Sequence, residues 1–236
     1  MEYTGIIKKG STNAIAVKAI KQVLNNTVNA KLDLTNSTFG DTTEMWVKVF
    51  QKKYQLIQDG IIGQLTWIKM FVPAVQVVPD SNSLSLRAVQ IADTQLFVRE
   101  KTGHNDGVEV ESYLKTVGLG KGYSWCMAFI YWDFLQAAKV LDLKTPVPDT
   151  GGVLDCWEHT SGKHVTVPLP GDQFIMDFGG GHGHTGIVKT VIGDRVYTIE
   201  GNTSADPTLP AEDREGNGVF ERLRPISGMK GFIRYS

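Results

Sequence analysis

The chain has 236 residues, of which 42% are hydrophobic and 21% charged, as in a globular protein with a buried core. Its net charge of −1 excludes a broad basic surface, so we expect neither nucleic-acid binding nor charge-driven membrane binding. The longest apolar runs are far shorter than the ~20 residues of a membrane helix. The first residues lack the apolar stretch of a secretory signal, so we expect synthesis in the cytoplasm and no signal-dependent export.

The two cysteines, Cys126 and Cys156, are too few for a disulfide scaffold. One disulfide between them is compatible with the sequence, but the lack of a secretory signal favours two thiols. For Cys156, which lies in an apolar context, we expect a packed core position.

A short stretch rich in proline and small polar residues divides the chain. Residues 73–83 carry a proline near each end of an extended run and finish on small polar residues, as linkers do. We therefore predict a first domain at residues 1–72, a linker at 73–83 and a second domain at 84–236.

The first domain has the apolar spacing of a small helical bundle. Apolar residues recur at helical intervals over residues 15–24 and 45–54. An apolar–Gly–x–x–Thr pattern occurs twice, at residues 39–43 (FGDTT) and 62–66 (IGQLT), each followed closely by a tryptophan. This pattern predicts the same structural turn at two places in the domain, each followed by the start of a helix.

These segments together resemble the peptidoglycan-binding-domain family. The resemblance rests on residues 16–25 (AVKAIKQVLN), 39–44 (FGDTTE), 47–51 (VKVFQ), 59–63 (DGIIG) and 66–67 (TW). It spans nearly all of residues 3–72, although residues 36–38 replace the usual Asp-Gly and the segment around 28–34 is longer. The resemblance implies a three-helix module and peptidoglycan as a partner.

The second domain changes its pattern along its length. Helical spacing covers residues 86–98, a further helix follows residue 107, and a long apolar helix begins near Ser124. β-branched runs then alternate with glycine-rich turns, at residues 165–167, 173–176, 185–192, 195–199 and 231–235. Helices followed by antiparallel strands predict an α+β domain.

Cys126 is the candidate nucleophile. Ser124 is a plausible helix N-cap, which would place Cys126 in the first turn, where free backbone N–H groups and the helix dipole stabilise a thiolate. The same amides could stabilise an oxyanion. The alternative is that Cys126 is simply a small buried apolar residue.

His184 is the candidate base, because it begins a strand that follows a glycine-rich loop. We predict that His182 is a loop residue. The two histidines could instead form a metal pair, but the other histidines offer no further ligands at a suitable spacing.

A third group should orient the imidazole, and the next strand offers Glu200 and Asn202. If the two-residue turn Gly193-Asp194 leads into unbroken pairing, His184 faces Thr203 and both candidates point away. One extra residue, from a bulge at the glycine, would put His184 opposite Asn202 and diagonal to Glu200. We predict the bulged register.

The second domain also resembles the CHAP family (cysteine, histidine-dependent amidohydrolase/peptidase). The blocks that carry the resemblance are residues 109–114 (EVESYL) with 118–119 (GL), 125–129 (WCMAF), 183–188 (GHTGIV) and 199–204 (IEGNTS), in family order within residues 84–236. It implies a papain-like α+β fold and hydrolysis of peptidoglycan amides. It assigns Cys126 as nucleophile, His184 as base, and Glu200 with Asn202 as orienting residues. Tyr123 is a candidate oxyanion or substrate contact.

We therefore expect a monomeric, endolysin-like or effector-like peptidoglycan hydrolase, an amidase or an endopeptidase, that reaches the wall after lysis or by non-classical secretion. The alternatives are a non-catalytic wall-binding or phage structural protein with a degenerate CHAP domain, and a cysteine peptidase acting on proteins. We expect no metal or cofactor. Residues 105–111 could hold calcium, but their spacing favours a helix start capped by Asn105 or Asp106.

Overall fold

The computed structural model describes residues 5–54, 56–71, 83–204 and 216–235. The chain forms two compact units, divided between Gln76 and Val77. The predicted linker at 73–83 lies outside the described residues except for Ser83. Within the described ranges, no helix is both long and apolar enough to cross a bilayer.

The first unit contains three helices, as predicted: α1 (Ala14–Val28), α2 (Asp41–Lys53) and α3 (Gln64–Phe71). The side chain of Asn13 caps α1 by accepting the N–H of Ala16. The core consists of buried apolar side chains from the helices and the segments between them, chiefly Val17, Ile20, Leu24, Phe39, Val47, Phe50, Ile62 and Trp67.

A buried lysine holds the long segment between α1 and α2. Lys21 is 4% exposed, and its Nζ donates to the carbonyl oxygens of Asp33 at 3.3 Å and Asn36 at 2.6 Å. A buried ammonium needs such partners, since burial without them is costly. The segment that is long for the family is thereby tied to the bundle.

The second unit begins with four helices: α4 (Leu84–Thr94), α5 (Val108–Thr116), α6 (Cys126–Val140) and α7 (Val153–His159). The apolar helix α6 lies at the centre, and its side chains Phe129, Ile130 and Phe134 are fully buried. The apolar pattern did not predict α7, whose seven residues are too few to show a helical period.

A six-stranded antiparallel sheet completes the second unit. Its strands are β1 (Lys163–Val165), β2 (Gln173–Gly179), β3 (His182–Ile192), β4 (Arg195–Thr203), β5 (Gly218–Pro225) and β6 (Gly231–Arg234), in the order β1-β6-β2-β3-β4-β5. The predicted α+β class with an antiparallel sheet is confirmed. The sequence analysis missed β5, because charged residues interrupt its apolar positions.

The β3–β4 hairpin has a two-residue turn, with Ile192 paired to Arg195, and the register shifts by one residue between Val188 and Thr190. The extra residue is Lys189, so the predicted bulge exists but lies within the strand, not at the glycine of the turn. Beyond the bulge, Ile187 pairs with Ile199. The same register, continued along the two strands, corresponds to His184 opposite Asn202.

Candidate active site

Cys126 is the first residue of α6 and is 7% exposed. The N-cap is Trp125, not Ser124 as predicted, and its side chain makes no capping hydrogen bond. The first intrahelical bond is donated by the N–H of Phe129 to the carbonyl of Trp125. The N–H groups of the first turn before it are therefore not used within the helix and, with the helix dipole, favour negative charge at the cysteine sulfur.

The residue before the cysteine is held by a carboxylate that the sequence analysis did not single out. The indole Nε1 of Trp125 donates to Glu100 Oε1 at 2.8 Å, and Glu100 Oε2 accepts the N–H of Asn105 at 2.9 Å. Trp125 is fully buried. These contacts anchor the chain as it enters α6 and so fix the position of Cys126.

His184 lies on β3 and is 2% exposed. Its Nε2 is 2.9 Å from Glu200 Oε2 on β4. A carboxylate at this nitrogen selects the tautomer that carries its proton on Nε2. Nδ1 is then the ring nitrogen left available to accept a proton, and in the described part of the chain it has no hydrogen-bond partner.

The two contacts of His184 act on its charge. Burial alone would lower the pKa of His184, but hydrogen bonding and charge interaction with Cys126 and Glu200 raise it to about 9. The site therefore favours a protonated imidazole between two groups that can each carry negative charge.

Glu200 is fully buried, and a second cation fixes it in place. Arg224 on β5 donates from Nε to Oε1 at 2.9 Å and from its terminal nitrogen to Oε2 at 2.6 Å. The hydroxyl of Thr198 also donates to Oε1, at 2.6 Å. Burial would raise the pKa of Glu200, but Arg224 and then His184 lower it far below its usual range, so the carboxylate stays ionised.

Arg224 was missed by the sequence analysis because β5 was missed. It is 5% exposed, and it is one of three buried or nearly buried charged residues on that strand, with Glu221 and Arg222. Charged residues interspersed with apolar ones at the two-residue spacing of a strand would have been the available sequence signal for β5.

The side chain of Asn202 makes no hydrogen bond to the imidazole of His184. It adopts a left-handed backbone conformation (φ 53°) and is 1% exposed. Neither atom of its amide has a hydrogen-bond partner among the described residues. The orienting hydrogen bond predicted for Glu200 and Asn202 together therefore comes from Glu200, because the chain turns away from the strand path at Asn202.

Tyr123 is 58% exposed and lies three residues before Cys126, the first residue of α6. His182 is exposed at the first position of β3, where the sequence analysis placed a loop residue. Helix α5 is capped by Gly107, whereas Asp106 accepts from the backbone and hydroxyl of Thr102, so the predicted cap was wrong.

Close approach between elements requires glycine at two positions beside the site. A Cβ on Gly201 would lie 2.7 Å from the Trp125 ring and 2.8 Å from Phe129, so glycine lets β4 lie directly against α6. A Cβ on Gly186 would lie 2.7 Å from Cγ of Glu200. Both glycines keep the distance between nucleophile, base and carboxylate short.

Cys126 and Cys156 are both buried free thiols. Burial raises the pKa of Cys156 to about 11, so this second thiol stays protonated at neutral pH. No group of three or more histidine, cysteine or carboxylate side chains in the described ranges is arranged to hold a metal ion.

Family comparisons agree with this geometry. A family described as "CHAP domain" matches residues 118–202, which include the helix start at Cys126 and both strands that carry His184 and Glu200. This match lies within the second unit. A family described as "Putative peptidoglycan binding domain" matches residues 13–70, the three helices of the first unit. No curated protein matches the chain in sequence.

Among solved structures, the chain is similar to "The crystal structure of Ly7917" and to "The crystal structure of Ly7917 with the hydrolyzing product of MDP". Each has 14% sequence identity and a TM-score of 0.36, over 63% of this chain and 61% of that chain. The chain thus spans less than two thirds of the length of these proteins, and at this TM-score the similarity carries no argument about its activity.

Proposed function

We propose that the protein is a peptidoglycan hydrolase whose CHAP domain cleaves an amide bond through a thioester on Cys126. The proposal is carried by the geometry of His184, which lies on a strand packed against the helix that begins at Cys126: its Nε2 is 2.9 Å from Glu200 Oε2, and Arg224 donates to the same carboxylate oxygen at 2.6 Å. A thiol beside an imidazole that a buried carboxylate orients is the arrangement that nucleophilic catalysis requires.

The reaction begins when His184 Nδ1 takes the thiol proton and the sulfur of Cys126 attacks the amide carbonyl carbon. The carbonyl oxygen gains negative charge, and we propose that the backbone N–H of Cys126 at the start of α6 stabilises it. Collapse of the intermediate breaks the C–N bond as the imidazolium gives its proton to the leaving amine.

Water then hydrolyses the thioester. His184 removes a proton from the attacking water, the C–S bond breaks, and the acid product leaves with the thiol restored. Glu200 keeps the imidazole in one orientation throughout and does not itself exchange a proton, because Arg224 holds it ionised. These reaction steps use protein side chains, a backbone N–H and water, so we propose that no metal or cofactor is needed.

The first unit would hold the enzyme on its substrate. Its match to a peptidoglycan-binding family supports wall attachment, and attachment raises the local concentration of substrate bonds near the catalytic unit. We propose that the monomer acts at the bacterial wall, where this polymer occurs. Two bonds remain compatible with the site, the sugar–peptide amide and a peptide bond of the stem or cross-bridge.

A turbidity assay on purified bacterial walls tests the proposal. Cys126→Ala and His184→Ala should each abolish clearing, while Cys156→Ala and His182→Ala, which replace the other thiol and a neighbouring exposed imidazole, should retain it. Unchanged clearing by Cys126→Ala would refute the mechanism. Mass spectrometry of the released fragments identifies the bond, and dialysis against a chelator should leave the activity unchanged.

A further inference from the structure

Gln173 is a polar side chain at a position where a buried strand normally carries an apolar one. It lies on β2, is fully buried, and is flanked by the buried residues Asp172 and Phe174. A buried amide without hydrogen-bond partners is destabilising, so the hydrogen bonds of Gln173 must account for its presence. Both polar atoms of its amide bind buried groups of the second unit, including residues adjacent to Cys126 and His184.

The amide nitrogen of Gln173 connects the elements that carry the nucleophile and the base. Nε2 donates to Thr185 Oγ1 at 3.0 Å and contacts Met127 Sδ at 3.3 Å. Met127 directly follows Cys126 on α6, and Thr185 directly follows His184 on β3. One planar amide thus spans the two segments whose separation determines the distance from sulfur to imidazole.

The other end of the side chain is anchored as well. Oε1 accepts from the hydroxyl of Tyr235 at 2.9 Å and lies 3.8 Å from Cys156 Sγ. The Thr185 hydroxyl in turn donates to the carbonyl of Phe174 at 2.6 Å. With both ends of its amide bound, Gln173 has one orientation available, and the network is fully satisfied inside the core.

We propose that Gln173 is a positioning residue that sets the distance between Cys126 and His184 by joining the start of α6 to the start of β3. The proposal deepens the proposed function and rests on it. Displacement of reacting groups by about 1 Å can cost on the order of 100-fold in rate, so the loss of this connection should reduce turnover more than substrate binding.

The test compares full-length wild type with Gln173→Met, which keeps the length of the side chain and removes its hydrogen bonds. Thr185→Val removes one of the two contacts and leaves Gln173 in place, in case the first variant folds poorly. Ser85→Ala is the matched control, because Ser85 is a buried side chain of the same unit whose hydroxyl bonds to the Tyr235 carbonyl. Two properties are measured: kcat and KM on soluble peptidoglycan fragments, and the rate of Cys126 alkylation by iodoacetamide at one fixed pH, read by mass spectrometry of its peptide and compared with His184→Ala.

Wild type should alkylate faster than His184→Ala at the same pH, because an imidazole beside a thiol makes the sulfur more reactive. Gln173→Met should lower kcat by ~10- to 100-fold with KM within about twofold, and should slow alkylation towards the rate of His184→Ala. Thr185→Val should show a smaller change of the same kind.

Two results would overturn the inference in distinguishable ways. If wild type alkylates no faster than His184→Ala, the thiol–imidazole pair of the proposed function is wrong, and the role of Gln173 with it. If wild type alkylates faster than His184→Ala and Gln173→Met keeps both that rate and the wild-type kcat, with a lower melting temperature like that of Ser85→Ala, then Gln173 contributes to stability alone.

Discussion

Replacing Arg224 with methionine removes the cation that fixes Glu200 while keeping a long side chain in its place. In wild type the side chains of Arg224 and Glu200 are 6% and 0% exposed, and two hydrogen bonds of 2.9 and 2.6 Å join them. Removing one partner of such a buried pair typically costs ~3–5 kcal/mol, because the remaining charge is left uncompensated. His184 and Thr198 still donate to Glu200, so we expect the lower end, about 3 kcal/mol.

The loss should depend on pH in a definite direction. In wild type the pKa of Glu200 lies below the ordinary pKa of a glutamate. Glu200 therefore contributes to stability at pH values above that ordinary pKa, and this contribution is lost as the pH falls through the lowered pKa. Without Arg224, burial raises the pKa of Glu200. The destabilisation should therefore be largest at pH 8 and smaller near pH 4, where the carboxyl can take up a proton.

Guanidinium unfolding of the full chain at both pH values measures this difference, and hydrogen exchange of the β4 and β5 amides assigns it to the second unit. Arg234→Met is the matched control, since Arg234 also binds a carboxylate, that of Asp172, but is 33% exposed and away from the site. A loss at pH 8 below about 1 kcal/mol, the range of an exposed ion pair, or no larger than that of the control, would contradict the reasoning.

Three further predictions concern single positions. The pKa of His184 is raised to about 9. The contribution of His184 to stability is therefore complete below the ordinary pKa of a histidine and is lost as the pH rises through about 9. We expect kcat/KM to fall over the same pH range. Asp133 is fully buried with no partner for its carboxyl in the described ranges, and burial raises its pKa. The buried carboxyl of Asp133 therefore opposes folding increasingly as the pH rises above the ordinary pKa of an aspartate. Asp133→Asn should raise the melting temperature more at pH 8 than at pH 4. Gly186→Ala would place a Cβ 2.7 Å from Glu200 Cγ and should cost ~1–3 kcal/mol and most of the wall-clearing activity. Gly120→Ala, with no atom within 4 Å, should change neither thermal unfolding nor clearing.

Much of the site was accessible from local pattern alone. A cysteine before a long apolar helix, a histidine after a glycine-rich loop and a glutamate at the end of the next strand are each local features. The structure joins His184 to Glu200 by a hydrogen bond and packs their strands against the helix that begins at Cys126. Their chemical roles stay predictions until the variants are assayed.

The location of the bulge shows where local pattern stops being sufficient. The extra residue in β3 is Lys189, and its ammonium pairs with Asp93 on α4 and, at 2.8 Å, with Glu221 on β5. The sequence analysis expected the bulge at the turn glycine, the residue most tolerant of unusual backbone angles. The partners that hold Lys189 lie far away along the chain, so no local pattern could have placed the bulge there.

The sequence by itself predicted the helical and strand periods, a linker between two domains and the candidate reactive groups, because these predictions depend on residues close together in the chain. Only the tertiary structure decided which groups support them: Arg224 behind Glu200 and Gln173 beneath Cys126 and His184. A buried charge or amide is stabilised by partners that folding brings from distant strands, and the linear order of residues does not encode that proximity directly.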